Sequence, residues 1–210
     1  MDKPITIGMA KGYLMTEGLK LLEKIGIHFP ENPIESRKLF TFDESGKYKL
    51  LKIRPWDVSA YVENGAADIG IVGQDVLLEK SEQVLKLLDL KYGHCKLVIA
   101  GEKKWEEKSL CHDLTVATKY PNSTARYFKE KGLKVKLLKL YGAIELAPLT
   151  ELSDLICDLT ATGTTLREHE LSIVDTVFSS TALLIANPVS MNFHYNTINS
   201  LTEKLKAELN

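Results

Sequence analysis

Residues 158 to 166 read Asp158-Leu-Thr-Ala161-Thr162-Gly163-Thr164-Thr165-Leu166, so an apolar run ends in a carboxylate and passes into a small, hydroxyl-rich turn that opens a helical pattern. A sugar phosphate needs acceptors for its hydroxyls beside a ring of donors for its phosphate, and this spacing supplies both. The Asp158 carboxylate can take a ribose hydroxyl. Backbone N–H groups from Ala161 onward, with the hydroxyls of Thr162, Thr164 and Thr165, suit a phosphate dianion at a helix N-terminus. Gly163 permits close approach and a positive φ. On the residues alone a plainer reading stays open, in which the segment is only a strand-to-helix turn with Thr164 as N-cap.

Other residues can join such a site. Glu145 lies in Gly142-Ala-Ile-Glu-Leu-Ala-Pro148 between an expected strand and a helix start. It either satisfies orphan N–H groups there or shares a vicinal diol with Asp158, since diols donate best to carboxylates. Lys11, in Ala10-Lys11-Gly12-Tyr13, follows the first expected strand and reaches the carboxyl-end edge of the sheet, where α/β proteins bind ligands; it is otherwise a solvated lysine in a glycine turn. Ser36-Arg37-Lys38 adds a basic cluster with the same two readings. Gly73 ends an apolar run and allows a flat ligand to approach, and Asp75 caps the next helix or contacts that ligand. His94-Cys95 and Cys111-His112 lack the spacing of about two to four residues found in structural zinc sites, so no metal ligand is assigned.

To bring these residues together the chain must alternate strands with helices. Apolar alternation predicts strands at 4–9, 37–42, 48–53, 68–72, 95–100, 114–118, 134–139 and 154–159. Helices are expected along Leu14 to Ile25, from Trp56 to Asn64 after Pro55, from Pro121 to Lys131, and at 193–208. That alternation argues for an α/β fold with mostly parallel sheets. A second α/β cycle begins near Leu114, and the long β-rich stretch from Ser172 to Pro188 can return the chain to its first part. The expected division is therefore lobe I at 1–92 plus 180–210 and lobe II at 93–179, with the ligand site in the cleft between them.

Composition narrows the partners. With 27 basic and 28 acidic side chains among 210 residues, no global field favours nucleic acid or an anionic membrane. Three scattered cysteines make no disulfide framework and suit a reducing cytoplasm. No leader is expected at the N-terminus, and no apolar run approaches the roughly 20 residues that span a bilayer.

Taken in order, these segments resemble the ATP phosphoribosyltransferase family in its short form, which lacks a C-terminal regulatory domain. The resemblance runs from the Lys-Gly turn at 11 through Ser36-Arg37-Lys38, Asp57 to Asp75 and Ala117-Thr-Lys-Tyr-Pro121, to Gly142–Leu166, which looks like the family signature. It implies a two-lobed fold like that of type II periplasmic binding proteins. It implies a reaction as well: N1 of the ATP adenine attacks the anomeric carbon of phosphoribosyl pyrophosphate, releasing pyrophosphate, with Mg2+ carried by that pyrophosphate. On this resemblance Glu145 and Asp158 hold the ribose diol and Ala161 to Thr165 the 5-phosphate. Lys11 and Arg37 neutralise phosphates as the catalytic cations, and Lys11, Gly12, Tyr13, Gly73 and Asp75 line the ATP side. The family commonly reads Lys-Gly-Arg where this chain has Lys11-Gly12-Tyr13. The lost guanidinium shifts leaving-group stabilisation onto Arg37, Lys38 or Arg54. The implied partners are a second copy, as a homodimer, and a histidyl-tRNA-synthetase-like regulatory subunit. Two other readings remain on the residues: a two-lobed ligand-binding module, which has no need of paired carboxylates beside a phosphate turn, and a phosphoribosyltransferase acting on a free base.

Overall fold

The structure, a computed structural model, describes residues 3–209. The chain starts with β1 (Ile5–Ala10), α1 (Tyr13–Lys24), β2 (Phe40–Phe42), β3 (Tyr48–Ile53), α2 (Val58–Glu63), β4 (Ile69–Gly73), α3 (Gln74–Lys80) and β5 (Leu85–Asp89). It continues through β6 (Cys95–Glu102), β7 (Thr115–Thr118), α4 (Pro121–Glu130), β8 (Lys136–Lys139), α5 (Leu146–Leu149), β9 (Leu155–Thr160), α6 (Thr164–Glu168) and β10 (Leu171–Ser180). It closes with β11 (Ala182–Ala186), α7 (Pro188–Phe193) and α8 (Tyr195–Glu208). Two compact units result, Met1–Leu77 with Ser81–Gly93 and Thr181–Asn210, and Leu78–Lys80 with His94–Ser180. The expected boundaries keep Leu78–Lys80 in the first lobe. Those residues count with the second unit, where the buried Glu79 carboxylate accepts from the N–H groups of Asn122 and Ser123 at 2.8 Å each.

The first unit is built on a six-stranded sheet in the order β2-β3-β1-β4-β11-β5. β1 runs parallel to β3 and β4, whereas β2 and β11 are antiparallel to their neighbours. Every residue of β1 is buried, as expected for a strand covered on both faces. Ile5, Ile7 and Met9 face one core with Leu22 of α1 and Leu201 of α8. On the other face Ala10 packs with Val58 and Val62 of α2 and Val76 of α3. The second unit holds a five-stranded sheet, β10-β6-β9-β7-β8, with β7 parallel to both β8 and β9 and β6 antiparallel to β9 and β10. Val98, Ala117 and Ile156 from its central strands meet Ile144, Ala147 and Leu166 on one face.

Four elements differ from the sequence expectation. The strand expected at 37–42 is formed only at Phe40–Phe42; the Lys52 ammonium takes the carbonyls of Pro33 and Ser36, holding the turn at 33–35 and the irregular chain after it. β5 was not expected; Leu85-Lys-Leu-Leu-Asp is an edge strand whose exposed end blurs the alternation. The β-rich stretch from Ser172 to Pro188 is two strands, and β10 and β11 belong to different sheets. The closing helix expected at 193–208 forms as α8, and a short helix not expected from sequence, α7, precedes it, capped by Asn187, which accepts from the N–H groups of Val189 and Ser190. Among the described residues no helix is long and apolar enough to cross a membrane.

Candidate active site

In the second unit the residues of interest gather where the parallel strands end. β9 is buried from Leu155 to Cys157 and half-buried from Asp158 to Thr160, so Asp158 stands where the strand leaves the core. Across one side it faces Val98 of β6. On the other side Thr118, the last residue of β7, lies level with Cys157, and Lys119 follows it as Asp158 follows Cys157. Asp158 Oδ1 accepts from the N–H of Leu159 at 2.8 Å. Burial is the first cause that pushes the Asp158 carboxyl above its usual range; the Leu159 N–H opposes it, Glu145 adds to it, and Lys119 opposes it again. Asp158, Glu145 and Lys119 therefore share one electrostatic neighbourhood, as two carboxylates and a cation.

Glu145 precedes α5 in the N-cap position, yet its own backbone is already helical (φ −59°, ψ −22°) and its side chain makes no capping bond. An N-cap works from extended backbone, so the capping reading of Glu145 fails and the carboxylate remains available to the site.

The turn after β9 is ordered by its own side chains. Gly163 adopts φ 73°, ψ 6° and is itself the N-cap of α6, with Thr164 as the first helical residue, which corrects the alternative that made Thr164 the cap. Only glycine takes this left-handed conformation at little cost. The Gly163 N–H donates to Thr160 Oγ1 at 2.8 Å. The hydroxyls of Thr162 and Thr164 bond to each other at 2.9 Å. Arg167 closes the arrangement, with Nη1 donating to the Thr162 carbonyl at 3.1 Å and Nη2 to Thr164 Oγ1 at 3.2 Å. Ala161, Thr162, Thr164 and Thr165 are exposed. Arg167 was not singled out from sequence, though its place one turn along the helix from Gly163 and Thr164 is a usable signal.

The first unit gathers cations at the carboxyl ends of β1 and β3. The register pairs Ala10 with Ile53, and the Lys11 N–H donates to the Ile53 carbonyl at 2.9 Å, so Lys11 and Arg54 stand side by side, both exposed. β2 pairs antiparallel to β3, and the Lys52 N–H donates to the Leu39 carbonyl. Arg37 is exposed and lies in irregular chain rather than in a strand. Lys38 is engaged elsewhere, in an exposed ion pair with Glu31 at 2.7 Å. Gly12 (φ 99°) caps α1, and Tyr13 beside it is 62% exposed, its ring edge-on to Tyr92 at 6.4 Å. Gly73 ends β4 and caps α3, and a Cβ there would stand 2.2 Å from Asp75 Oδ1. Asp75 is buried in the first turn of α3, a position favourable for a carboxylate.

None of the three cysteines is in a disulfide. Among the described residues no group of three or more His, Cys, Asp or Glu side chains could hold a metal ion.

With this geometry in hand, the chain was compared with known proteins. The family model HisG, ATP phosphoribosyltransferase, matches residues 54–207. An ATP phosphoribosyltransferase from Syntrophotalea carbinolica is 42% identical over all of this chain and 97% of its own length. One from Moorella thermoacetica is 44% identical over 96% of this chain and 92% of its own. Among solved structures, the ATP phosphoribosyl transferase (HisG:HisZ) complex from Thermotoga maritima contains a chain that superposes with a TM-score of 0.84 at 35% identity, covering 97% of each. The periplasmic aliphatic sulphonate binding protein SsuA of Escherichia coli shares the fold, with a TM-score of 0.61 at 14% identity over 98% of this chain and 72% of its own. The expected likeness to periplasmic binding proteins is thus found.

Proposed function

The chain belongs to the ATP phosphoribosyltransferase family, and on that premise we propose how its residues divide the reaction. The activity is the first step of histidine biosynthesis, a pentosyl transfer in which ATP and phosphoribosyl pyrophosphate give N1-(5-phosphoribosyl)-ATP and pyrophosphate. Adenine N1 is a weak neutral nucleophile, so the task is to hold it in line with the anomeric carbon while the C1–O bond to pyrophosphate breaks. The N1–C1 bond forms in the same displacement, and no covalent enzyme intermediate is needed. Electrostatic stabilisation of the departing pyrophosphate carries the rest.

The Asp158 and Glu145 carboxylates accept from the ribose 2- and 3-hydroxyls. The hydroxyl-rich turn, Ala161, Thr162, Gly163, Thr164 and Thr165, receives the 5-phosphate. Lys11 and Arg37 neutralise the pyrophosphate or the ATP phosphates as the catalytic cations, and Mg2+ arrives with the pyrophosphate as part of the substrate. Gly12, Tyr13, Gly73 and Asp75 line the ATP side. With Tyr13 in place of the usual arginine, Arg54, which follows the residue paired with Ala10, offers a guanidinium beside Lys11, and a planar fork suits phosphate oxygens. The observation that supports the sugar assignment is the half-buried Asp158 carboxylate at the end of β9, directly before the turn in which Thr160 Oγ1 accepts from the Gly163 N–H, with Glu145 and Lys119 acting on its charge.

The test follows product by the ultraviolet absorbance of N1-substituted adenine, with ATP, phosphoribosyl pyrophosphate, Mg2+ and a pyrophosphatase. Asp158→Ala and Glu145→Ala should each lower kcat/KM for the sugar substrate by about 10- to 150-fold, the worth of a hydrogen bond to a charged group. A sugar KM and kcat unchanged in both variants would overturn the assignment.

We propose a regulatory partner as well. The Thermotoga maritima relative was solved in a HisG:HisZ complex, and the family resemblance implies a histidyl-tRNA-synthetase-like subunit for the short form. Light scattering of the chain alone and with such a subunit would test this and the homodimer together. No change in mass or turnover on mixing would count against the partner, and a monomeric mass against the dimer.

A further inference from the structure

Lys119 has no assigned role, and it occupies a rigid position. It follows β7 and precedes the Pro121 start of α4, and it is half-buried. The residues around it are tied at a single hydroxyl. Thr118, fully buried, donates through Oγ1 to the Cys157 carbonyl at 2.7 Å and accepts from the Tyr120 N–H at 2.8 Å, with Thr124 Oγ1 3.1 Å away. One side chain thereby fixes the residues flanking Lys119 to the residue before Asp158. The parallel register of β7 and β9 runs from Val116 with Leu155 to Thr118 with Cys157, so Lys119 and Asp158 each directly follow one of a pair of register-matched residues.

A diol site made of two carboxylates has an inherent conflict. Like charges in a half-buried place drive one carboxyl to retain its proton, and a protonated carboxyl donates where the ribose hydroxyls need an acceptor. From β6, Val98 lies opposite Asp158, with Lys96 farther along opposite Thr160; Glu145, from ahead of α5, and Lys119, after the end of β7, act on its charge. Arg167 is committed to Thr162 and Thr164. Lys119 is the cation whose charge acts on Asp158.

We propose that Lys119 is the positioning cation of the sugar site, held at the end of β7 by the Thr118 clamp so that Asp158 and Glu145 stand together as two acceptors for the vicinal hydroxyls. The inference rests on the diol reading of those carboxylates. It assigns Lys119 to the charge state and orientation of the acceptors rather than to the transferred atoms.

The experiment uses the full chain and the natural substrates. Lys119→Gln, Lys119→Arg, Glu145→Gln and Asp158→Asn are compared by the pH profile of kcat/KM for phosphoribosyl pyrophosphate. Carboxyl-carbon NMR of aspartate-labelled protein gives the titration directly, the Asp158 signal being identified by its loss in Asp158→Asn. In Lys119→Gln the Asp158 midpoint and the acid limb of the profile should both move up by about one pH unit, and the sugar KM at mildly acidic pH should rise about tenfold. Lys119→Arg should restore both. In Glu145→Gln the Asp158 midpoint should move down, a readout that leaves β7 untouched and serves even if Lys119→Gln fails to fold. An Asp158 midpoint that stays put in Lys119→Gln, or a sugar KM raised without any change in the pH profile, overturns the role of Lys119. A wild-type sugar KM in Asp158→Asn overturns the diol reading beneath it, so the two failures are told apart.

Discussion

Thr118→Val isolates the clamp that joins the ends of β7 and β9. Valine matches threonine in shape and strand preference, so the change removes a hydroxyl while leaving volume nearly constant. Thr118 is 0% exposed, and water cannot replace the lost bonds without entering the core. The Tyr120 N–H loses its acceptor at 2.8 Å and the Cys157 carbonyl loses a donor at 2.7 Å. A buried polar group left unsatisfied costs about 1–3 kcal/mol, so two of them predict a loss of about 2–6 kcal/mol. Thr124 limits the damage, since its hydroxyl already bonds the Tyr120 carbonyl at 2.6 Å and does not depend on Thr118.

Urea denaturation should show the loss as a lower midpoint at unchanged slope. Amide exchange should localise it to β7, β9 and the first turn of α4. Because the clamp joins the residues that precede Lys119 and Asp158, the KM for phosphoribosyl pyrophosphate should rise severalfold in the folded variant while the KM for ATP changes less. A destabilisation below about 0.5 kcal/mol, the size of an ordinary surface change, together with a wild-type sugar KM would refute the reasoning at both steps.

Three further outcomes follow from particular residues. Gly163→Ala places a Cβ at φ 73° and 3.2 Å from Arg167 Nη1; the conformation alone costs about 1–2 kcal/mol, and the sugar KM should rise while the ATP KM holds, equal rises in both speaking against a role confined to the turn. Gly73→Ala forces the buried Asp75 carboxylate aside, because the new Cβ would stand 2.2 Å from Oδ1; the ATP KM should rise at a constant sugar KM, and the opposite pattern would refute the assignment of the two to the ATP side. Burial pushes the Cys157 thiol up from 9.0 to about 12, so an aromatic disulfide reagent at mildly alkaline pH should modify the exposed Cys111 and spare Cys157 until the chain unfolds. The unfolded thiol ionises first, so native stability is complete below pH 9 and falls as the pH rises from 9 toward about 12; rapid native modification of Cys157, or stability flat across that range, would contradict its burial.

The parts of the fold and site that could be read from sequence are those set by neighbours along the chain. The Asp158–Leu166 segment declares itself because a carboxylate, a glycine and three threonines lie within one strand end and one turn, and the structure adds which residue caps the helix and the Arg167 bonds to Thr162 and Thr164 that close the turn. Glu145 was ambiguous for the same local reason, since a carboxylate before a short helix looks like a cap until its backbone proves helical. What escaped depends on pairing between distant segments. Lys119 was named only within the resemblance at Ala117–Pro121, and its proposed role rests on β7 and β9, 39 residues apart, aligning Thr118 with Cys157. Arg37 was expected on a strand because the alternation of its neighbours ignores Lys52, whose ammonium holds the preceding turn and irregular chain from 16 and 19 positions away. The break between β10 and β11 escaped because both strands are apolar and only their different partners, β6 on one sheet and β4 with β5 on the other, separate them. Local chemistry therefore suggests the substrate groups a segment can hold, whereas the neighbours that would set the charge of Asp158 are brought in by strand pairing between distant segments.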